Sequence, residues 1–205
     1  MRRLVVATHN EKKGQEMREI LVARFPDLEL LTLADYPGIE EPDETGTTYA
    51  ENAVIKAEAA AAATGEACVA DDAGLEIDFL NGKPGLQSKR FLGENTPFEE
   101  KIAAILEQMA GIPDAERSAR FRVAVALARP DQPVHSFAAV CEGRIALEPR
   151  GTGGFGYDSI FLLPELGCTM AELTPEQKHA VSHRGKVLKM LGDYIQAHSA
   201  IVQSH

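Results

Sequence analysis

Arg120-Phe121-Arg122-Val123-Ala124-Val125-Ala126-Leu127-Ala128 alternates without a break. Phe121, Val123, Val125 and Leu127 fall on one face at the two-residue period of a β-strand. Arg120 and Arg122 share the other face and suit a salt-bridged surface. Downstream, His135–Cys141 and Arg144–Leu147 read as antiparallel neighbours joined by a turn at Glu142-Gly143. Upstream the pattern changes to strands separated by helices. Leu4–Ala7 reads as a short buried strand, followed by a helix from about Glu11 to Arg24. Met17, Ile20, Leu21 and Phe25 form that helix's apolar stripe, and Pro26 ends it. Leu28–Leu33 is a second strand. Thr48-Tyr49-Ala50-Glu51 is a capping box that opens a helix to about Thr64. Cys68–Ala70 is a strand with Asp71-Asp72 at its end, and Leu75–Phe79 continues as strand or short helix.

The remaining punctuation is equally local. Asn81-Gly82-Lys83-Pro84-Gly85 is a turn. Thr96-Pro97-Phe98-Glu99 combines a capping box with Pro at the first helical position, for a helix to about Met109 that Gly111 stops. Ser159–Leu163 is another strand. Thr174-Pro175-Glu176-Gln177 repeats the Thr-Pro capping pattern, and Ser182 caps a last helix to about Ala197. Helices alternate with strands early and a meander follows, which predicts an α/β protein with a mixed sheet.

With 205 residues the chain suits one domain, or one domain with two lobes. A formal net charge of −10 argues against binding a nucleic-acid polymer, which needs a basic surface to displace counterions. It leaves room for a small phosphorylated ligand held by a few local cations, and an acidic surround favours a divalent metal. Cys68, Cys141 and Cys168 lack metal-ligand spacing and read as reduced thiols of a cytosolic protein. The apolar run at the N-terminus turns polar at Thr8-His9-Asn10, too soon for a signal peptide, and no stretch reaches membrane-spanning length.

Four segments carry residues suited to chemistry. Thr8-His9-Asn10-Glu11-Lys12-Lys13 is a strand end opening into a helix, where free N–H groups attract anions. Two lysines oppose the helix dipole there; a bound phosphate resolves that conflict, and an ordinary Asn cap with solvated lysines is the plainer reading. Asp71-Asp72 follows a buried strand. Its carboxylates point to opposite faces, so one can bind a hard cation while the other supports the loop; a turn with a capping Asp is the alternative. Asn52 and Lys56 share a helix face, which taken alone reads as solvent-exposed. Last, Gly151-Thr152-Gly153-Gly154-Phe155-Gly156-Tyr157-Asp158 packs four glycines around two aromatics. It suits close backbone approach and stacking on a flat ring, with Ser182-His183-Arg184-Gly185-Lys186 supplying donors and positive charge.

Taken in order, these segments resemble the inosine triphosphate pyrophosphatase family, also called the Ham1 or RdgB-like non-canonical purine nucleoside triphosphate pyrophosphatases. The resemblance runs from Leu4 to about Leu191. It rests on Thr8 to Lys13, Glu44-Thr45-Gly46, Glu51 to Ala57, Asp71 to Leu75, Gly82 to Gly85, Gly151 to Asp158 and Ser182 to Gly185. It implies an elongated mixed sheet flanked by helices, in two lobes with a central active-site cleft. It implies Mg²⁺-dependent hydrolysis of ITP, dITP or XTP to the monophosphate and pyrophosphate, by a cytoplasmic homodimer that cleanses the nucleotide pool. Thr8, Asn10 and Lys13, with Lys56, are implied to hold the triphosphate. His9, Glu11 and Lys12 between them, and Ala73 beside Asp72, are implied to lie in the substrate site. Asp72 is implied as proton acceptor and metal ligand, with Glu44 or Asp43 completing the metal site. Phe155 is implied to stack on the base, with Gly156 and Tyr157 in the same loop. Asp158, Lys178, His183 and Arg184 are implied to read the base edge.

The chain departs from the family's usual pattern at three places: Ala73 stands for Ser after Asp72, Gln87 and Lys89 interrupt Pro-Gly-x-Tyr-Ser-Ala-Arg, and Ser159 stands for Pro. A nucleotide phosphotransferase is disfavoured by the absence of a Gly-x-x-x-x-Gly-Lys-Ser/Thr loop. A non-catalytic nucleotide-binding module has less need of the clustered carboxylates.

Overall fold

Asn10 is where the first strand hands over to the first helix. Its side chain accepts the Lys13 N–H at 3.1 Å, satisfying one of the donors a helix leaves open at its start. The computed structural model describes residues 2–198. In chain order the elements are β1 (Arg2–Val6), α1 (Glu11–Arg24), β2 (Leu28–Thr32), α2 (Tyr49–Thr64), β3 (Cys68–Ile77), β4 (Lys83–Pro84), α3 (Phe98–Gln108), β5 (Ser118–Ala128), β6 (His135–Ile145), β7 (Phe161–Leu163), β8 (Cys168–Thr169), α4 (Pro175–Val181) and α5 (His183–Ala197). The strands are hydrogen-bonded in the order β2-β1-β3-β5-β6-β7-β8, with β4 pairing β3. The β1–β2 and β1–β3 pairs are parallel, whereas β3–β4, β6–β7 and β7–β8 are antiparallel, so the sheet is mixed. Among the described residues no helix is long and apolar enough to cross a membrane.

Several boundaries follow from single residues. Thr48 and Glu51 form the reciprocal capping box of α2, which Gly65 ends in the left-handed region. Thr174 and Gln177 do the same for α4, with Pro175 at its first position. Thr96 does not cap α3: Pro97 is the N-cap residue, and the Thr96 hydroxyl donates instead to the Leu92 carbonyl at 2.8 Å.

Two further expectations are corrected. Asp71 and Asp72 do not end a strand; β3 runs through them to Ile77. Nor does the chain turn at Glu142-Gly143, since β6 is continuous from His135 to Ile145. Gly143 has a packing reason instead. A Cβ there would lie 2.6 Å from the Leu162 carbonyl oxygen and from the Phe161 ring, on the neighbouring β7.

The chain divides into two units. One comprises Met1–Asp72, Val123–Ala139 and Arg184–His205, and the other Ala73–Arg122 and Val140–His183. In the first, Val5, Ala7, Leu33, Cys68 and Ala70 pack with Ala53, Ala57, Ala60 and Ala61 of α2 and with Ala124, Ala126 and Ala128 of β5. Small side chains on both partners let helix and strands approach closely. The second core is bulkier: Leu75, Ile77, Ile102, Ile105, Met109, Phe121, Tyr157 and Phe161. β5 therefore alternates buried and partly exposed residues only up to Arg122 and is buried on both faces beyond it. Arg120 pairs with Asp78 and Glu142, and Arg122 with Glu76, as expected of a salt-bridged strand face. The three cysteines are free thiols.

Candidate active site

Two adjacent carboxylates organise the first unit's polar groups. Successive strand residues point to opposite faces, so Asp71 and Asp72 acquire different neighbours. Asp71 Oδ1 accepts from Lys13 Nζ at 3.1 Å, while its Oδ2 accepts from Arg184 Nε at 3.2 Å and Nη2 at 2.8 Å. The third guanidinium nitrogen engaged, Nη1, donates to Glu16 Oε2 at 2.6 Å. Asp72 Oδ2 accepts from Asn52 Nδ2 at 3.0 Å, and its Oδ1 lies 3.8 Å from Lys56 Nζ. Lys56 Nζ also donates to Glu44 Oε1 at 2.8 Å.

These contacts drive the two carboxyls apart in acidity. Burial alone raises Asp71, but Lys13, Arg184 and Lys56 outweigh it and hold the carboxyl far below its ordinary range. Burial also raises Asp72, and the Glu44 charge adds to it. Here Lys56 and Asn52 oppose the rise without reversing it, so Asp72 stays above its ordinary value. Neighbouring acids pushed in opposite directions mark a division of labour. Asp71 is a buried anion that anchors two cations, and Asp72 is the less acidic of the two. Burial lowers the Lys13 ammonium despite Asp71, whereas the surrounding carboxylates raise Lys56 above its ordinary range against the same penalty.

Asn52 sets the geometry around Asp72. Its Oδ1 accepts the Gly46 N–H at 2.8 Å, which leaves Nδ2 to face the carboxylate. Gly46 has no room for a side chain, because a Cβ would lie 2.7 Å from Asn52 Oδ1. The acidic loop before α2 is thus fastened through Gly46, which places Glu44 beside Lys56. Asp43 is exposed in the same loop. Read alone, the helix face bearing Asn52 and Lys56 was expected in solvent; both residues are buried.

The other members of the first segment are spread around the helix entrance. Thr8 is buried and its Oγ1 accepts the Asn10 N–H at 3.1 Å. His9 is exposed, with its N–H donated to Glu41 and its ring Nε2 at 3.0 Å from the Ile39 carbonyl. Glu11 and Lys12 are exposed. Ala73 follows Asp72 within β3 and is half-buried.

Among the described residues no set of three or more His, Cys, Asp or Glu side chains is arranged to hold a metal ion. Glu44 and Asp72 nevertheless share a single ammonium, which shows that both carboxylates can serve one cation. Two hard oxygen donors suit Mg²⁺, which keeps several waters and takes further oxygens from a phosphorylated substrate. The donor set therefore fits such an ion when phosphate oxygens complete it.

The second group lies in the other unit. Gly151 and Gly154 both adopt positive φ, at +80° and +66°. A Cβ on Gly151 would meet the Ala171 backbone at 2.4 Å, and one on Gly154 would meet Asp158 Oδ2 at 2.1 Å. That same Oδ2 accepts the Phe155 N–H at 2.9 Å and Lys178 Nζ at 2.7 Å. Lys178 Nζ sits 4.8 Å from the centre of the half-buried Phe155 ring. Gly156 follows, again with positive φ. Tyr157 is a core residue: its hydroxyl donates to the Ser88 carbonyl at 2.8 Å, and its ring meets Phe98 edge-on at 5.2 Å. His183 is buried, with its ring stacked on Phe121 at 4.7 Å.

Of the residues expected to stack on the base or read its edge, Phe155, Asp158 and Lys178 are in mutual contact. The Arg184 guanidinium is engaged by Asp71 and Glu16 within the first unit. Glu16 escaped the sequence reading, although it lies one helical turn after Lys13 on α1. The departures at Gln87 and Lys89 fall on exposed side chains. The backbone there is held by Tyr157 at the Ser88 carbonyl and by Lys101 at the Lys89 carbonyl.

A sequence profile of the Ham1 family matches residues 4–194. A relative from Geobacillus kaustophilus, named dITP/XTP pyrophosphatase, is 45% identical over 193 residues, covering 94% of each chain. Solved structures agree. A Ham1 protein from Coxiella burnetii superposes with a TM-score of 0.85 at 40% identity, covering 96% of this chain and 100% of that one. The Staphylococcus aureus Ham1 protein gives 0.84 at 36% identity, covering 96% and 99%.

Proposed function

The chain belongs to the Ham1 family, and from that membership we propose that it is a nucleoside triphosphate pyrophosphatase. Its substrates are the non-canonical purine nucleotides dITP, XTP and ITP, which it cuts to the monophosphate and pyrophosphate. The observation that carries the reading is the buried pair Asp71 and Asp72, with Asp71 held by Lys13 and Arg184 and Asp72 beside Asn52, Glu44 and Lys56. Near-identical coverage of relatives named for this activity supports it.

Asp72 accepts the proton of a water whose oxygen attacks the α-phosphorus. The bond from that phosphorus to the bridging oxygen breaks, pyrophosphate departs with the electron pair, and Asp72 later returns its proton to solvent. Thr8, Asn10 and Lys13 at the start of α1, with Lys56, bind the triphosphate. Asp71 and Arg184 act indirectly by fixing Lys13. Glu44 and Asp72, with Asp43 as the alternative to Glu44, would hold Mg²⁺, which when bound neutralises phosphate charge. The local balance supports that requirement, since Lys13, Lys56 and Arg184 face Glu16, Glu44, Asp71 and Asp72 before any phosphate arrives.

The base stacks on Phe155. Lys178, oriented by Asp158, donates to the 6-oxo group with His183 nearby in sequence. Adenine carries an amino donor at that position and leaves the site's donors unpaired. Tyr157 and Gly156 support the loop. The proposal includes a cytoplasmic homodimer, consistent with the family resemblance and with free thiols at all three cysteines.

Replacing Asp72 by Asn tests the assignment. Turnover of dITP is expected to fall by about 10²–10⁴-fold, with an unchanged circular dichroism spectrum. A wild-type rate in that variant removes Asp72 from the chemistry, and binding without turnover by the wild type in excess Mg²⁺ makes the chain a nucleotide-binding module.

A further inference from the structure

Lys56 is oddly placed for a residue whose task is to meet phosphate. Its ammonium lies 2.8 Å from Glu44 and 3.8 Å from Asp72, and the three side chains are only 5%, 15% and 9% exposed. Two shielded carboxylates are thereby joined by a cation that belongs to the chain. The arrangement is built rather than incidental. Lys56 is fixed in the middle of α2, Asp72 is fixed in β3, and Glu44 is carried by the loop that Gly46 and Asn52 fasten to the same helix.

We propose that Lys56 is an internal counter-cation that keeps divalent metal off Glu44 and Asp72 until a polyphosphate arrives. The proposal rests on the reading above that the ion is held by these two carboxylates. A divalent ion entering alone meets an ammonium already bonded to one of its ligands and close to the other. It must displace that ammonium or share the space with a like charge in a shielded setting, which is costly. A triphosphate changes the balance by offering the ammonium new acceptors. Lys56 has three donors on a flexible four-carbon stem, so it can move from Glu44 to a phosphate oxygen without backbone rearrangement. Metal and nucleotide then bind with positive coupling, and the nucleotide-free enzyme holds little metal.

A purely structural salt bridge makes a different prediction: removing Lys56 lowers stability and leaves metal affinity weak. The test is calorimetric titration of Mn²⁺ into nucleotide-free protein, paired with thermal unfolding and requiring no turnover. Lys56→Met is expected to bind Mn²⁺ at least tenfold more tightly than wild type, and Mn²⁺ is expected to raise its Tm. Lys56→Gln, which keeps a donor but not the charge, is expected to behave alike and serves if the Met variant does not fold. In wild type, a comparable Mn²⁺-dependent rise in Tm is expected only with α,β-imido-dITP present. Equal Mn²⁺ affinity in nucleotide-free wild type and both variants overturns the proposal. The double variant Lys56→Met/Asp72→Asn separates the two ideas. Loss of the gained affinity confirms that the ion sits on Asp72, whereas its retention places the ion elsewhere and defeats the underlying site reading.

Discussion

Asp71→Asn isolates the anchoring role of the buried anion. The substitution keeps the side chain's shape and removes its charge. In the wild type that charge faces Lys13 Nζ at 3.1 Å and two nitrogens of Arg184 at 2.8 and 3.2 Å, with Asp71 and Arg184 both buried. Removing one member of a buried ion pair costs about 3–5 kcal/mol, because the remaining charge is left uncompensated. Arg184 retains Glu16 at 2.6 Å, and Lys13 is partly open to solvent with a side-chain exposure of 21%. Both facts place the expected loss near the lower end, about 3 kcal/mol. Urea unfolding at pH 7 measures it. Lys13→Met in the Asp71→Asn background should recover part of the loss, giving a coupling energy of about 1–3 kcal/mol between the two positions. A loss below about 1 kcal/mol, the range of exposed pairs, together with no coupling, refutes the claim that Asp71 anchors this network.

Gly154→Ala should destabilise more than Gly167→Ala. Both glycines have φ of +66°, but only at Gly154 would the new Cβ strike Asp158 Oδ2, whereas Gly167 has open space. Gly167→Ala is expected to cost about 1 kcal/mol for the backbone conformation, and equal losses at the two positions contradict the packing assigned to the loop. Burial pushes the Cys68 thiol up from 9.0 to about 11. A folded-state value above the unfolded one means that this stabilisation is complete below about pH 9 and fades as pH rises through about 11. It corresponds to roughly 2–3 kcal/mol. Cys68→Ala should therefore show a shallower alkaline loss of stability than wild type, and identical slopes between pH 9 and 11 defeat the prediction.

Most element boundaries were legible because their causes are local. Asn10, Thr48 with Glu51, Thr174 with Gln177, and Pro26 each act within a few residues of themselves. What escaped has distant causes. Asp71 and Asp72 read as a strand end because two adjacent charges are unexpected inside a sheet. The partners that neutralise Asp71 lie 58 and 113 residues away, at Lys13 and Arg184. Gly143 looked like a turn residue, yet it is dictated by the packing of Phe161 and Leu162. The glycine-rich loop was legible as a special backbone, but Gly151 is required by contact with Ala171, a protein neighbour rather than a ligand. The motifs therefore named side chains, but not the partners that hold them. The assignment of Arg184 to Asp71, and of Lys56 to Glu44, required the fold.

The most direct test of the account is pyrophosphate release from dITP, XTP, ITP, GTP and ATP, each measured with Mg²⁺ and with EDTA. The account predicts fast release from dITP, XTP and ITP that EDTA abolishes, with far slower release from ATP. Equal rates on all five nucleotides, or release of orthophosphate in place of pyrophosphate, would contradict it.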